Sequence, residues 1–195
     1  MDHDLNVVGA LVVALGDRMR DATEEAAGMS GPLPAALASL HDWAGGRPVD
    51  TLAGALRLSH SRTVRVIDRL EADGLATRER DPADGRNVLV RLTPAGDRAG
   101  AGVLAARDAA LATALDGLAR PDRRALAQLA EDVLGAVTTG RRSARTICRL
   151  CEGHACGHHE GRCPVTRAAD AAEAAQSGGG SAPSPSSSHT SGSRS

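Results

Sequence analysis

Residues Leu58–Leu75 read L-S-H-S-R-T-V-R-V-I-D-R-L-E-A-D-G-L, and Asp84–Gly96, shortly after, read D-G-R-N-V-L-V-R-L-T-P-A-G. In the first segment Ser59 is a natural helix N-cap, because its hydroxyl can accept a backbone N–H that the first turn leaves unpaired, and Gly74 supplies the stop. Placed at 100° per residue, Thr63, Val66, Ile67 and Leu70 fall on one side and Ser61, Arg62, Arg65, Asp68 and Arg69 on the other. The polar side is short, basic and rich in hydrogen-bond donors, as a helix lying in a major groove requires. Taken alone, it is equally the solvated face of an amphipathic helix.

The neighbours decide between those readings. Asp50 or Thr51 is placed to cap a short preceding helix that carries Leu52 and Leu56. Beyond Gly74 two strands are predicted, 76–81 and 87–92, with Val88, Val90 and Leu92 inward and Leu89 and Arg91 outward. Pro82, Asp84 and Gly85 supply the turn between them. Thr93 then caps a long helix with Pro94 at its first position, where a missing N–H costs nothing. Short helix, basic helix and hairpin together spell a winged helix-turn-helix, and duplex DNA becomes the first partner to consider.

These residues resemble the MarR family of bacterial transcriptional regulators, whose winged domain carries an Asp-x-Arg wing tip, then Val-x-Leu-Thr, then a Gly three residues on. Asp84, Arg86, Val90, Leu92, Thr93 and Gly96 fall in that register. The likeness extends more weakly over residues 1–140. It implies a mainly α fold with a small β wing, a homodimer, a pseudo-palindromic operator and more often repression than activation. It also implies a signal, whether a small molecule, a metal or a redox change, that releases DNA. The DNA-contacting set is Ser59, His60, Ser61, Arg62, Arg65 and Arg69 on the helix, with Asp84 and Arg86 at the wing. An Arg at that tip is suited to the negative potential of a narrow minor groove, with Asp84 orienting it. Where many members have a second basic residue at the tip, this chain has Gly85.

Working outward, Leu5, Val8, Val12, Leu15 and Met19 recur at spacings of three and four and form one apolar stripe on a first helix. Met29–Pro34 breaks it, and Leu33, Leu37, Leu40 and Trp43 mark a second helix closed by Gly45 and Gly46. After Gly96, Leu104, Leu111, Leu115 and Leu118 line one face, and Leu126, Leu129, Val133 and Val137 another beyond Pro121. The division expected is 1–46 for N-terminal packing and dimerisation helices, 47–98 for the winged domain and 99–140 for C-terminal dimerisation helices. A Cys/His/Arg-rich segment, 141–176, and a disordered Gly/Ser/Pro-rich tail, 177–195, complete it.

Composition narrows the possibilities further. With no Phe, no Tyr and one Trp, the core must be built from smaller aliphatic side chains, and a shared dimer core would compensate. The formal charge of -1 hides an uneven spread: residues 1–46 hold two Arg against seven acids, whereas 47–98 hold ten Arg against eight. Every basic residue is Arg, which suits bidentate contacts to guanine or phosphate, although a GC-rich coding bias produces the same composition. Val7–Leu15 is apolar but is preceded by two Asp and no basic residue, the wrong sign for a signal peptide. No run reaches the ~20 residues a membrane span requires. The expectation is a cytoplasmic protein with no membrane partner and with its thiols initially reduced.

The four Cys stand at C-x2-C-x4-C-x6-C, Cys148, Cys151, Cys156 and Cys163, with His154, His158 and His159 among them. Two thiolates separated by two residues are half of a tetrahedral zinc site, which the second pair or a substituting His would complete. The same thiols, with Arg145, Arg149 and Arg162 nearby, would also serve as a redox switch. An iron–sulfur centre and an inert tail are the remaining readings. No Ser-His-Asp spacing, phosphate loop or dinucleotide fingerprint is present, so an enzyme is not expected. The alternatives to operator binding are a thiol-based redox sensor and a winged domain turned to protein interaction.

Overall fold

The computed structural model describes residues 2–178, so nearly all of the tail expected to be disordered lies outside the described residues. α1 (His3–Ala27) starts at the Asp2 cap, whose carboxylate accepts from the Asp4 N–H, and ends at Gly28 in the left-handed region. α2 (Leu33–Ser39) runs into a π-helical turn, Leu40–Ala44. The short strand β1 (Arg47–Pro48) leads into α3 (Val49–Leu56), then α4 (His60–Ala72), β2 (Ala76–Arg80) and β3 (Val88–Leu92). The long helices α5 (Pro94–Ala114) and α6 (Arg120–Val137) follow. α7 (Arg141–Ile147), a 3-10 turn over Cys148–Leu150 and α8 (Pro164–Gly178) close the described chain. Among the described residues no helix is long and apolar enough to cross a membrane.

The architecture is mainly helical with a small antiparallel sheet, as the sequence predicts; the sheet has a third strand, β1, beyond the two expected, and four further details differ. The helix predicted from Asp50 or Thr51 begins at Val49 and has no side-chain cap. Asp50 instead meets Nδ1 of His60 at 2.7 Å, joining α3 to α4. In the sheet the order is β1-β3-β2, so β3 is central, and Leu89, expected outward, is buried opposite Pro48. Val88, expected inward, lies beyond β1 toward the wing tip and is 38% exposed. The stripe ending at Leu118 also outruns its helix, which stops at Ala114.

One core unites the winged module. Leu37, Leu40 and Ala44 pack with Val49 and Leu52 of α3, with Val66, Ile67 and Leu70 of α4, and with Ala76 and Val90 of the sheet. Each of the larger side chains contributes roughly 1.5–3 kcal/mol on burial. A close approach closes the module. Thr93 donates its hydroxyl to the Gly74 carbonyl at 2.8 Å and its N–H to the Leu75 carbonyl at 3.0 Å, while its side chain accepts from the Gly96 N–H. A Cβ on Gly96 would stand 1.9 Å from the Leu75 oxygen, so no other residue fits at the end of the L-T-P-A-G run.

The long helices are packed less completely. α5 runs along α1 and α2. α6 buries none of its side chains, leaving Leu129 and Val133 at 64% and 60% exposure, and Leu5 of α1 is 71% exposed. The stripes read on α1 and α6 therefore face outward within one chain, whereas that of α5 is buried at Leu104.

Candidate nucleic-acid interface and a cysteine-lined cavity

α4 is held with one face in and one face out. Thr63, Val66, Ile67 and Leu70 are buried, and Ser61, Arg62, Arg65, Asp68 and Arg69 are exposed. Ser59 caps the helix by accepting from the Arg62 N–H at 3.4 Å. The turn before it forces Arg57 to φ 55, the one positive φ among described non-glycine residues. Among the described residues, Arg62 and Arg65 form no salt bridge, whereas Arg69 donates to Asp73 at 2.7 Å one turn on. The first two turns of α4 thus present free guanidinium groups, and the third presents one already partnered.

Arg78, which sequence reasoning passed over, fixes the wing against this helix. From β2 its guanidinium reaches Asp68 at 2.7 Å, Glu71, and the Val64 carbonyl at 3.2 Å. The available signal was a strand Arg opposite two acids three apart on the preceding helix. At the wing tip, Asp84 accepts from the Arg86 backbone N–H at 3.2 Å and from its Nε at 3.1 Å. It also accepts from Nδ2 of Asn87 at 3.3 Å. The tip is therefore folded around one carboxylate, and the Arg86 side chain projects with 91% exposure. α4 and the wing form a surface on which Arg62 and Arg65 make no salt bridge and Arg86, held by Asp84 only at its Nε, projects outward, an arrangement suited to polyanionic phosphate and the acceptor edges of bases.

The C-terminal segment is folded onto the same module. Buried Ser39 of α2 donates to the Arg149 carbonyl at 3.0 Å, Thr146 donates to the Gly54 carbonyl at 3.1 Å, and the Gly153 N–H donates to Asp42 at 2.9 Å. All four Cys and His158 line one cavity of roughly 270 Å³, together with Asp42 and Trp43 of the π-helical turn. His158 also sets its Nδ1 2.8 Å from the Thr166 hydroxyl. His154 and His159 are exposed, with ring centroids 4.7 Å apart.

The thiols lie as two contacting pairs. The Cys148 thiol hydrogen-bonds to Cys151, which raises Cys148 well above the usual thiol range. That bond, with Arg107 and Arg149 nearby, lowers Cys151 to about 7 against the effect of burial and Asp42. Burial, with Cys163 beside it, pushes Cys156 up to about 11. No three His, Cys, Asp or Glu side chains among the described residues already converge at metal-ligand spacing. Nε1 of Trp43 is buried with no acceptor.

Comparison with known proteins places these features. The model of the MarR family matches residues 35–88, from α2 to the start of β3. The chain is similar to the YusO protein from Bacillus subtilis, with 27% identity, 69% of this chain and 94% of that chain covered, and a TM-score of 0.57. It is similar to CouR from Rhodococcus jostii RHA1 bound to p-coumaroyl-CoA, at 26% identity, 65% and 90% coverage, and a TM-score of 0.52. PcaV from Streptomyces coelicolor, a transcriptional regulator in complex with its natural ligand, gives 26% identity, 67% and 91% coverage, and a TM-score of 0.50. No curated protein matches the sequence.

Proposed function

The chain is a MarR-family protein, and from that premise we propose that it is a DNA-binding transcriptional regulator acting as a homodimer, and a repressor, on a pseudo-palindromic operator. The observation that carries this reading is the pairing of α4, with Arg62 and Arg65 free on its outer face, with a wing whose Arg86 projects from an Asp84-ordered tip. Residues in the first turns of a recognition helix reach base edges, and a wing arginine adds affinity from the adjacent minor groove. Arg69 joins them by exchanging its exposed Asp73 partner for phosphate.

The second copy has a physical basis. α1 and α6 expose apolar stripes that soluble monomers seldom leave open, and pairing them with their equivalents in a partner supplies the missing burial. Two α4 helices then face successive major grooves on one side of the duplex, about 34 Å apart. Release follows when a small molecule, metal or redox signal favours a dimer with different α4 spacing. Such a signal acts only through unequal affinity for the two arrangements. CouR and PcaV, each solved with a bound ligand, support a small molecule in that role.

Selection from random duplex DNA at moderate salt tests the reading: one enriched two-fold sequence is expected, and no enrichment overturns it. On the selected duplex Arg65→Ala is expected to cost ~1–3 kcal/mol and to relax base preference. Arg86→Ala is expected to weaken binding with little change in sequence choice and to flatten the salt dependence.

A further inference from the structure

We propose that Cys148, Cys151, Cys156 and Cys163 bind one Zn²⁺, and that the ion locks the C-terminal segment onto the π-helical turn of the winged module. The inference stands apart from operator binding. Three independent observations support it. First, residues dispersed over sixteen positions of sequence, Cys148 to Cys163, are brought by the fold to the wall of one cavity. Four thiols on one wall are the donor set of a tetrahedral structural zinc site, and such sites complete their geometry when the ion binds. Second, the connection 152–162 is a run of turns with Gly157 and Gly161 at positive φ, which folds the chain back and returns Cys163 to the wall that holds Cys148. Third, Trp43 lines the cavity with a buried N–H that has no acceptor. A metal-bound thiolate is the acceptor such a donor lacks, in the way that outer hydrogen bonds orient and stabilise metal ligands.

The lock has a defined reach. Asp42, adjacent to Trp43, holds the Gly153 N–H, and Ser39 one turn earlier holds the Arg149 carbonyl. Drawing the pairs together fixes both contacts and so ties the segment to α2, whose Leu37 and Leu40 belong to the winged core. Zinc occupancy is therefore expected to register at Trp43, the only aromatic side chain among Phe, Tyr and Trp in the chain and hence its only strong intrinsic fluorophore.

The test is elemental analysis of the reduced full-length chain, purified without a His tag, combined with Trp43 fluorescence during chelation and zinc re-addition. About one zinc per chain is expected. Its removal should change the emission, and stoichiometric Zn²⁺ should restore it. Cys148→Ser and Cys163→Ser, one from each pair, should each weaken zinc binding at least about tenfold. Because these variants can fail to fold, chelation and re-addition on the unaltered chain, with helicity monitored, is the deciding arm. A chain that takes up no zinc, that holds iron and sulfide instead, or whose Trp43 emission ignores zinc overturns the proposal.

Discussion

The winged module and the long helices beside it use the same few aliphatic residue types in opposite ways. α4 buries Val66, Ile67 and Leu70 against α2, α3 and the sheet of its own chain, and its polar face is left for a ligand. α6 carries a comparable stripe and buries none of it. A helical stripe signals only that a surface requires a partner. It does not specify whether that partner lies in the same chain. The first region is complete in one copy, whereas the second leaves its stripe open, and on the proposed reading another copy covers it.

The largest effect expected separates the two regions directly. Gly96→Ala drives a Cβ into the Leu75 carbonyl, and since that carbonyl and the Gly96 N–H are both held by hydrogen bonds to Thr93, relief requires the wing to shift. We expect a loss of about 3 kcal/mol that does not vary with protein concentration, measured by denaturant unfolding of the tertiary signal. A substitution of no consequence would mean that the wing is not anchored as described.

Val133→Asp probes the other region. Placed in the centre of the α6 stripe, it should leave the isolated winged fold intact and raise the dimer dissociation constant at least about a hundredfold, since an unpaired charge would enter the interface. Light scattering checks this: the parent chain should weigh twice 19.9 kDa, and the variant 19.9 kDa at micromolar concentration. An unchanged mass would place the interface elsewhere.

Legibility in the sequence followed the same division. Helix periodicity, the Ser59 and Thr93 caps and the L-T-P-A-G run are local signals, and they identified α4, the wing and the start of α5. β1 was not legible, because two residues, Arg47 and Pro48, carry no periodicity. Its absence from the reading reversed the expected faces of Val88 and Leu89. Arg78 escaped notice for a related reason: its partners Asp68 and Glu71 are on another element, and only the fold brings them together. The Cys spacing was legible. That its cavity is walled by Asp42 and Trp43, more than a hundred residues earlier, depends on tertiary packing that no spacing encodes.

The smallest effect sharpens the account within the winged module. Arg57 occupies the left-handed region in the helix-to-helix turn, where a glycine has no Cβ penalty. Arg57→Gly should raise stability by about 0.5 kcal/mol, because relief of the φ strain slightly exceeds the added chain entropy. A loss of similar size in thermal unfolding would show that the Arg57 side chain stabilises the turn by contacts that outweigh its backbone cost.

The central claim, that one complete DNA-reading module per chain becomes functional through a second copy, is tested most directly by hydroxyl-radical footprinting of the full chain on its selected duplex, with the mass of the complex measured in parallel. The account predicts two chains per duplex and two protected patches related by a dyad, with centres about one helical turn apart. A single protected patch formed by a single chain would contradict it.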